Sequence, residues 1–71
     1  AYLQIRSGEV AETREIEDGI AFADYDPEGV LLGIELLAPC PFPVLDQLIQ
    51  NEPESMCRFV RGVAPHRFVR F

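Results

Sequence analysis

Apolar and polar residues alternate within short segments from Ala1 to Tyr25, which is the period expected of half-buried strands, and an apolar segment follows at Val30–Leu37. The pattern predicts four strands: Ala1–Ser7, Val10–Ile16, Ile20–Tyr25 and Val30–Leu37. Between the first two, Ser7-Gly8 predicts a two-residue hairpin, because glycine supplies the positive φ that such a turn needs. We therefore expect an antiparallel β-meander in which consecutive strands are neighbours.

The segment Asp26-Pro27-Glu28-Gly29 is the clearest turn signal, since proline presets φ and glycine suits a left-handed exit. The strand after it is apolar on both predicted faces. One face carries Val30, Leu32, Ile34 and Leu36, and the other carries Leu31 and Leu37. A strand of this kind is usually covered on both sides, and a short chain has few elements to cover it. The sequence therefore predicts a partner surface.

Beyond the strands, the apolar period changes from two to 3.6. We expect a proline-rich connector at residues 39–43 that stops regular pairing, then two short helices within residues 44–63, the second opened by Pro53. The basic tail, residues 64–71, fits an edge strand, an arm over a neighbour or a frayed end. The predicted fold is a single α+β domain: a four-stranded antiparallel meander (residues 1–38), two short helices and a short basic tail.

Charge is unevenly distributed along the chain. The 71 residues hold twelve acids and six basic residues, a net charge of −6. Residues 1–54 hold all twelve acids and two arginines, a net of −10, whereas residues 55–71 hold four arginines and no acid. The two parts attract each other within one chain or between two copies, and the acidic excess argues against nucleic-acid binding.

Size and cysteine content bound the remaining possibilities. A core this small commonly needs a second subunit, a disulfide or a metal for stability. Cys40 and Cys57 make no disulfide framework, so we expect free thiols and a cytoplasmic protein. No apolar stretch approaches the roughly 18 residues of a membrane span, and the sequence starts with no signal-peptide pattern.

One spacing resembles a calcium loop: Asp24, Asp26, Glu28-Gly29 and Glu35. The flanking segments alternate like strands, whereas that motif needs helices on both sides, so we interpret these acids as a solvated turn. His66 stands apart from Cys40 and Cys57 and makes no zinc pattern with them. We predict no catalytic, cofactor or metal residues and no enzyme activity.

Four segments, Tyr2–Arg6, Gly8–Glu15, Asp24–Gly29 and Gly33–Leu37, in this order and spacing resemble a known pattern. Residues 1–38 are similar to the small bacterial domain-of-unknown-function family numbered twenty-two eighty-three. The resemblance implies a compact β-meander without an established activity, substrate or cofactor. It also implies a further strand upstream of Tyr2 and leaves residues 39–71 outside the family core.

The leading functional hypothesis is a non-enzymatic module that self-associates as a homodimer. The predicted self-association surface combines the second face of the last strand with the tail: Leu31, Leu37, Arg67, Phe68, Arg70 and Phe71. An alternative is an antitoxin-like or regulatory partner of another protein, with the tail engaging that partner. A third is small-ligand or metal binding at Asp24, Asp26 and Glu35.

Overall fold

The computed structural model describes residues 1–63, with the backbone alone at Val63, and residues 67–70. In chain order its elements are β1 (Tyr2–Gln4), β2 (Glu12–Glu17), β3 (Ala21–Tyr25), β4 (Leu31–Leu36), β5 (Cys40–Pro41), α1 (Phe42–Ile49), α2 (Glu54–Val63) and β6 (Val69–Arg70). A four-stranded antiparallel sheet is followed by two helices. The predicted α+β fold is confirmed.

The strand order β1-β4-β3-β2 differs from the predicted neighbours at one point. Strands β2, β3 and β4 form the meander, but β1 pairs with β4, with Leu3 opposite Ile34. The predicted hairpin at Ser7-Gly8 is therefore wrong. Residues 5–11 instead cross from one edge of the sheet to the other.

Packing rather than backbone conformation explains the glycine in this connection. Gly8 does not have a positive φ. A Cβ added there would lie 2.6 Å from Cδ2 of Leu32, so glycine lets the connection pack closely on that side chain. The amides of Ile5 and Arg6 both donate to the Leu32 carbonyl, at 2.8 and 3.1 Å.

The predicted turn at Asp26–Gly29 is present and joins β3 to β4. Gly29 has φ 84°, and its amide donates to the Asp26 carbonyl at 3.0 Å. One carboxylate oxygen of Asp26 accepts the amides of Glu28 and Val30, each at 2.9 Å. The turn uses the proline, aspartate and glycine as the sequence pattern predicts.

The core lies between one face of the sheet and the two helices. Its fully buried members come from both layers: Ala21, Ala23, Ile34 and Leu36 from the sheet, Cys40 from β5, Leu45 and Ile49 from α1, and Val60 from α2. The two alanines of β3 are small and remain completely buried, consistent with close packing against this face. The opposite face of the sheet consequently has no helix against it in the described part of the chain.

Strand β4 does not present a second apolar side to solvent. Leu31 and Leu32 are only 5% and 3% exposed, and the ladder is irregular opposite them, between Asp24 and Tyr25. Leu31 belongs to the core cluster, and Leu32 lies against the connection at Gly8. The expectation that Leu31 faces a partner is corrected, because this irregularity and the crossing connection cover both leucines within one chain.

A two-residue parallel ladder joins the connector to the tail. Cys40 pairs with Val69 and Pro41 with Arg70, and the Cys40 amide donates to the Phe68 carbonyl at 2.8 Å. The expectation that the prolines stop regular pairing here is wrong, because Cys40 stands between two of them and keeps its N–H. Of the three interpretations of the tail, the structure shows the edge strand. Helix α1 also begins earlier than predicted, at Phe42, since proline is tolerated in a first turn.

Candidate functional site

The sheet face turned away from the helices has no helix or strand packed on it in residues 1–63 and 67–70. Two rows of side chains cross it, and we call these positions the open face. The first row is Tyr2, Glu35, Phe22 and Glu15, and the second is Gln4, Gly33, Asp24 and Thr13. Phe22 is half-buried but does not pack against the core cluster, as alternation along β3 requires.

A hydrogen-bond network fixes the second row. The Asp24 carboxylate accepts the Tyr2 hydroxyl at 3.2 Å on one oxygen and the Thr13 hydroxyl at 2.6 Å on the other. Tyr2 reaches across β4 because position 33 is glycine, and a Cβ there would collide with the tyrosine ring. The network thus joins β1, β2 and β3 through side chains on one face.

The open face is acidic. Glu15, Asp24 and Glu35 supply three carboxylates, and no arginine of the described residues forms a salt bridge with any of them. The amino group of Ala1 lies 3.7 Å from Glu35 Oε2. Burial raises the pKa of the Tyr2 phenol, as do its hydrogen bond to Asp24 and the charges of Asp24 and Glu35. A second cationic group brought to this face would therefore be stabilised.

Apolar surface accompanies this charge. Tyr2 is 47% exposed, and Leu37, the next position after Glu35 in the alternation, is 58% exposed. With Phe22, these side chains provide aromatic and aliphatic area among the carboxylates. Of the two predicted surface residues from this strand, Leu37 is exposed just beyond the end of β4, whereas Leu31 is buried in the core at its other end.

The tail residues Arg67, Phe68 and Arg70 form a separate basic surface, which we call the tail surface. Val69 between them is buried, while both arginines are exposed and Phe68 is half-buried against the core. The Arg67 guanidinium carbon lies 5.3 Å from the centre of the Phe68 ring. Neither arginine forms a salt bridge with a residue that the structure describes. The predicted surface residue Phe71 lies outside the described residues.

The two cysteines are free thiols, and the tail partly encloses one of them. Cys40 is buried within β5, where it pairs with Val69 of β6, and Cys57 is half-buried with its sulfur 3.3 Å from the Ile49 carbonyl oxygen. Burial raises the pKa of the Cys40 thiol, the charge of Glu17 raises it further, and Arg70 opposes both. Arg70 pairs with Pro41, so its positive charge lies beside the strand that holds Cys40.

The acids of the calcium-like spacing do not converge. Asp26 accepts two turn amides, Asp24 accepts two hydroxyls on the open face, and Glu35 lies in the other row opposite Phe22. Among residues 1–63 and 67–70, no three histidine, cysteine or acidic side chains are grouped to hold a metal ion.

Sequence reasoning missed the open face as a unit. The alternation of Tyr2 with Gln4 and of Phe22 with Asp24 places each pair on one face of its own strand. The two pairs form one surface only because β1 lies beside β4, and the local sequence pattern does not reveal that neighbour. A cross-strand signal was nevertheless present, since glycine at position 33 provides the space for a large neighbour.

Comparison with known proteins gives one family and no individual relative. The family model described as "Protein of unknown function (DUF2283)" matches residues 1–38, which is more than half of the 71-residue chain. The searches of curated proteins and of solved structures found no match. Neither helix of the described chain has the length and apolar character needed to cross a bilayer.

Proposed function

Because this chain belongs to the family described as protein of unknown function (DUF2283), whose description names no activity, we propose a function from the chain's own surface. The domain is a non-enzymatic protein-interaction module that self-associates as a homodimer. The open face, with Leu37, is its contact surface.

The observation that carries this proposal is the exposed apolar area on a sheet face with no helix against it. An antiparallel sheet can face water on one side, but its outward positions are then mostly polar. Here Tyr2, Phe22 and Leu37 lie among carboxylates, a mixture of aromatic and aliphatic anchors with a charged surround that is typical of interfaces. A second chain over this face would bury that area.

Two carboxylates near this surface have structural roles, which favours an interaction module over an enzyme. Asp24 and Asp26 each accept two hydrogen bonds from the chain itself, so their carboxylates already hold the sheet face and the turn in place. The free thiols of Cys40 and Cys57 favour a reducing compartment, and we place the protein in the cytoplasm on that basis.

Oligomeric state tests the proposal. We expect sedimentation equilibrium at micromolar concentration to give a dimer mass for the unmodified chain and a monomer mass for Leu37→Asp. Phe59→Asp is the matched control, because Phe59 is a similarly exposed apolar residue (49%) but lies on α2. This variant should remain a dimer.

Two results would contradict the proposal. An unmodified chain that stays monomeric at every accessible concentration would show that the module does not self-associate. Dissociation by Phe59→Asp, with Leu37→Asp still dimeric, would move the contact to the helical side. Circular dichroism of both variants verifies that the fold is retained.

A further inference from the structure

We infer that the tail surface of a second copy covers the open face, and that the two copies exchange this contact reciprocally about a two-fold axis. This inference rests on the proposed self-association and specifies which surfaces meet. The partner on the open face is a second copy of this chain. The charges of the two surfaces and their positions on the molecule both support this assignment.

Charge complementarity identifies the two surfaces as partners. The open face carries three carboxylates, Glu15, Asp24 and Glu35, and the tail surface carries Arg67 and Arg70. Two open faces stacked directly on each other would bring six carboxylates together, and like charges oppose such contact. A basic surface against the acidic face is the favourable arrangement.

The chemistry of the side chains also matches. Arginine stacks on aromatic rings and forms forked hydrogen bonds to carboxylates. Tyr2 and Phe22 lie beside Glu35 in the first row of the open face, so ring and carboxylate are neighbours there. The tail already shows the stacking mode within one chain, between Arg67 and Phe68.

Position on the fold permits a reciprocal contact. Leu37 follows Glu35 of the open face by two residues and precedes Cys40, which pairs with β6, by three. Three residues span at most about 11 Å, so Leu37 and the ladder that carries the tail surface share one end of the molecule. Two copies that meet at this end can each place a tail on the other's open face, which gives the self-complementary interface of a two-fold dimer.

A charge-swap experiment tests the inference. The tail-reversed chain carries Arg67→Glu and Arg70→Glu, and the face-reversed chain carries Glu15→Arg and Glu35→Arg. We expect each to dimerise at least about tenfold more weakly than the unmodified chain, since like charges then oppose each other in both contacts. An equimolar mixture should form a heterodimer with affinity close to the original, because both reciprocal contacts are again complementary.

The matched control is Arg14→Glu with Arg58→Glu, which reverses two exposed arginines outside both surfaces and should leave the dimer intact. Recovery of the heterodimer on mixing also shows that each reversed chain is folded. If either reversed chain fails to fold, neutral variants replace both. One neutral variant carries Arg67→Gln with Arg70→Gln, and the other carries Glu15→Gln with Glu35→Gln. Each neutral variant must dimerise more weakly than the unmodified chain.

The results separate this inference from the proposed function. If the tail-reversed chain dimerises normally while Leu37→Asp is monomeric, the open face is the contact but the tail is not its occupant. If both reversed chains are monomeric and their mixture remains so, the reciprocal pairing is wrong. If the unmodified chain is itself monomeric, the inference and the proposed function fail together.

Discussion

Asp24 connects three strands through one carboxylate. Its oxygens accept hydroxyls from Tyr2 on β1 and Thr13 on β2, while Gly33 on the intervening strand provides room for the tyrosine ring. The same carboxylate therefore orders part of the open face and gives it negative charge. This places a structural and an electrostatic role on a single residue.

Titration of Tyr2 tests that assignment. Because the hydrogen bond to Asp24 and its charge help raise the pKa of Tyr2 above 10.0, Asp24→Asn should lower this pKa, though not fully, since burial is the larger cause. Phenolate absorbance against pH, in a Tyr25→Phe background that leaves one tyrosine, measures the change. An unaltered titration midpoint would contradict the role of Asp24.

The raised pKa also has a consequence for stability. The folded state favours the neutral phenol, so this contribution is fully present below the unfolded-state pKa near 10.0 and is lost as pH rises through the folded-state value. Urea unfolding of the unmodified chain should accordingly show falling stability at alkaline pH. The fall should be shallower for Asp24→Asn.

At the scale of elements, β4 shows how alternation and local irregularity together decide exposure. Leu36 is completely buried against the helices, while Leu37, one residue on, is largely exposed. Near the other end of the strand, Leu31 and Leu32 are both buried, because the ladder is irregular there and a connection crosses it. Identical residue types therefore have different roles within one short strand.

Adjacent leucines provide a matched pair for mutation. Leu36→Ala should lower the free energy of unfolding by about 2–5 kcal/mol, since it leaves a cavity in the core. Leu37→Ala should change it by less than about 0.5 kcal/mol at protein concentrations below dimerisation. Urea denaturation at such concentrations measures both, and comparable losses in the two variants would contradict the assigned faces.

At the scale of the whole molecule, Arg6 joins the sheet to the helical layer. Its guanidinium donates to the Leu31 carbonyl and, at 2.5 Å, to Oε1 of Glu52 in the turn between the helices. Both side chains are half-buried, which reduces screening by solvent relative to a surface pair. This ion pair links the end of the sheet to the turn between the helices.

A double-mutant cycle measures this link. Arg6→Gln and Glu52→Gln should show a coupling energy of about 1 kcal/mol, reduced from a fully buried pair because Arg6 is partly solvated. The comparison pair is Arg58 and Glu54 on α2, which are 3.5 Å apart and both exposed. Its coupling should be no more than about 0.5 kcal/mol, and equal couplings in the two cycles would contradict a specific role for Arg6.

The limits of sequence reasoning follow from the range of each interaction. The turn at Asp26–Gly29 was predictable because its hydrogen bonds lie within five residues. The partner of β1 was not predictable, because Leu3 pairs with the distant Ile34. The alternation of β1 is satisfied equally whether this strand lies beside β2 or beside β4. The same uncertainty concealed the open face, whose rows exist only once all four strands are in register.

The amino-acid sequence by itself determined the periods of strand and helix, the turn at Asp26–Gly29, the separation of acidic from basic segments and the family. These depend on local sterics, hydrogen bonding and composition. Only the tertiary structure decided that β1 lies beside β4, that Leu31 is covered, that the tail pairs with Cys40, and that Tyr2, Phe22 and Glu35 share a face. Those outcomes depend on contacts between distant residues. Local preferences do not distinguish the possible strand pairings, and the pairing that buries the apolar side chains of the chain together is selected.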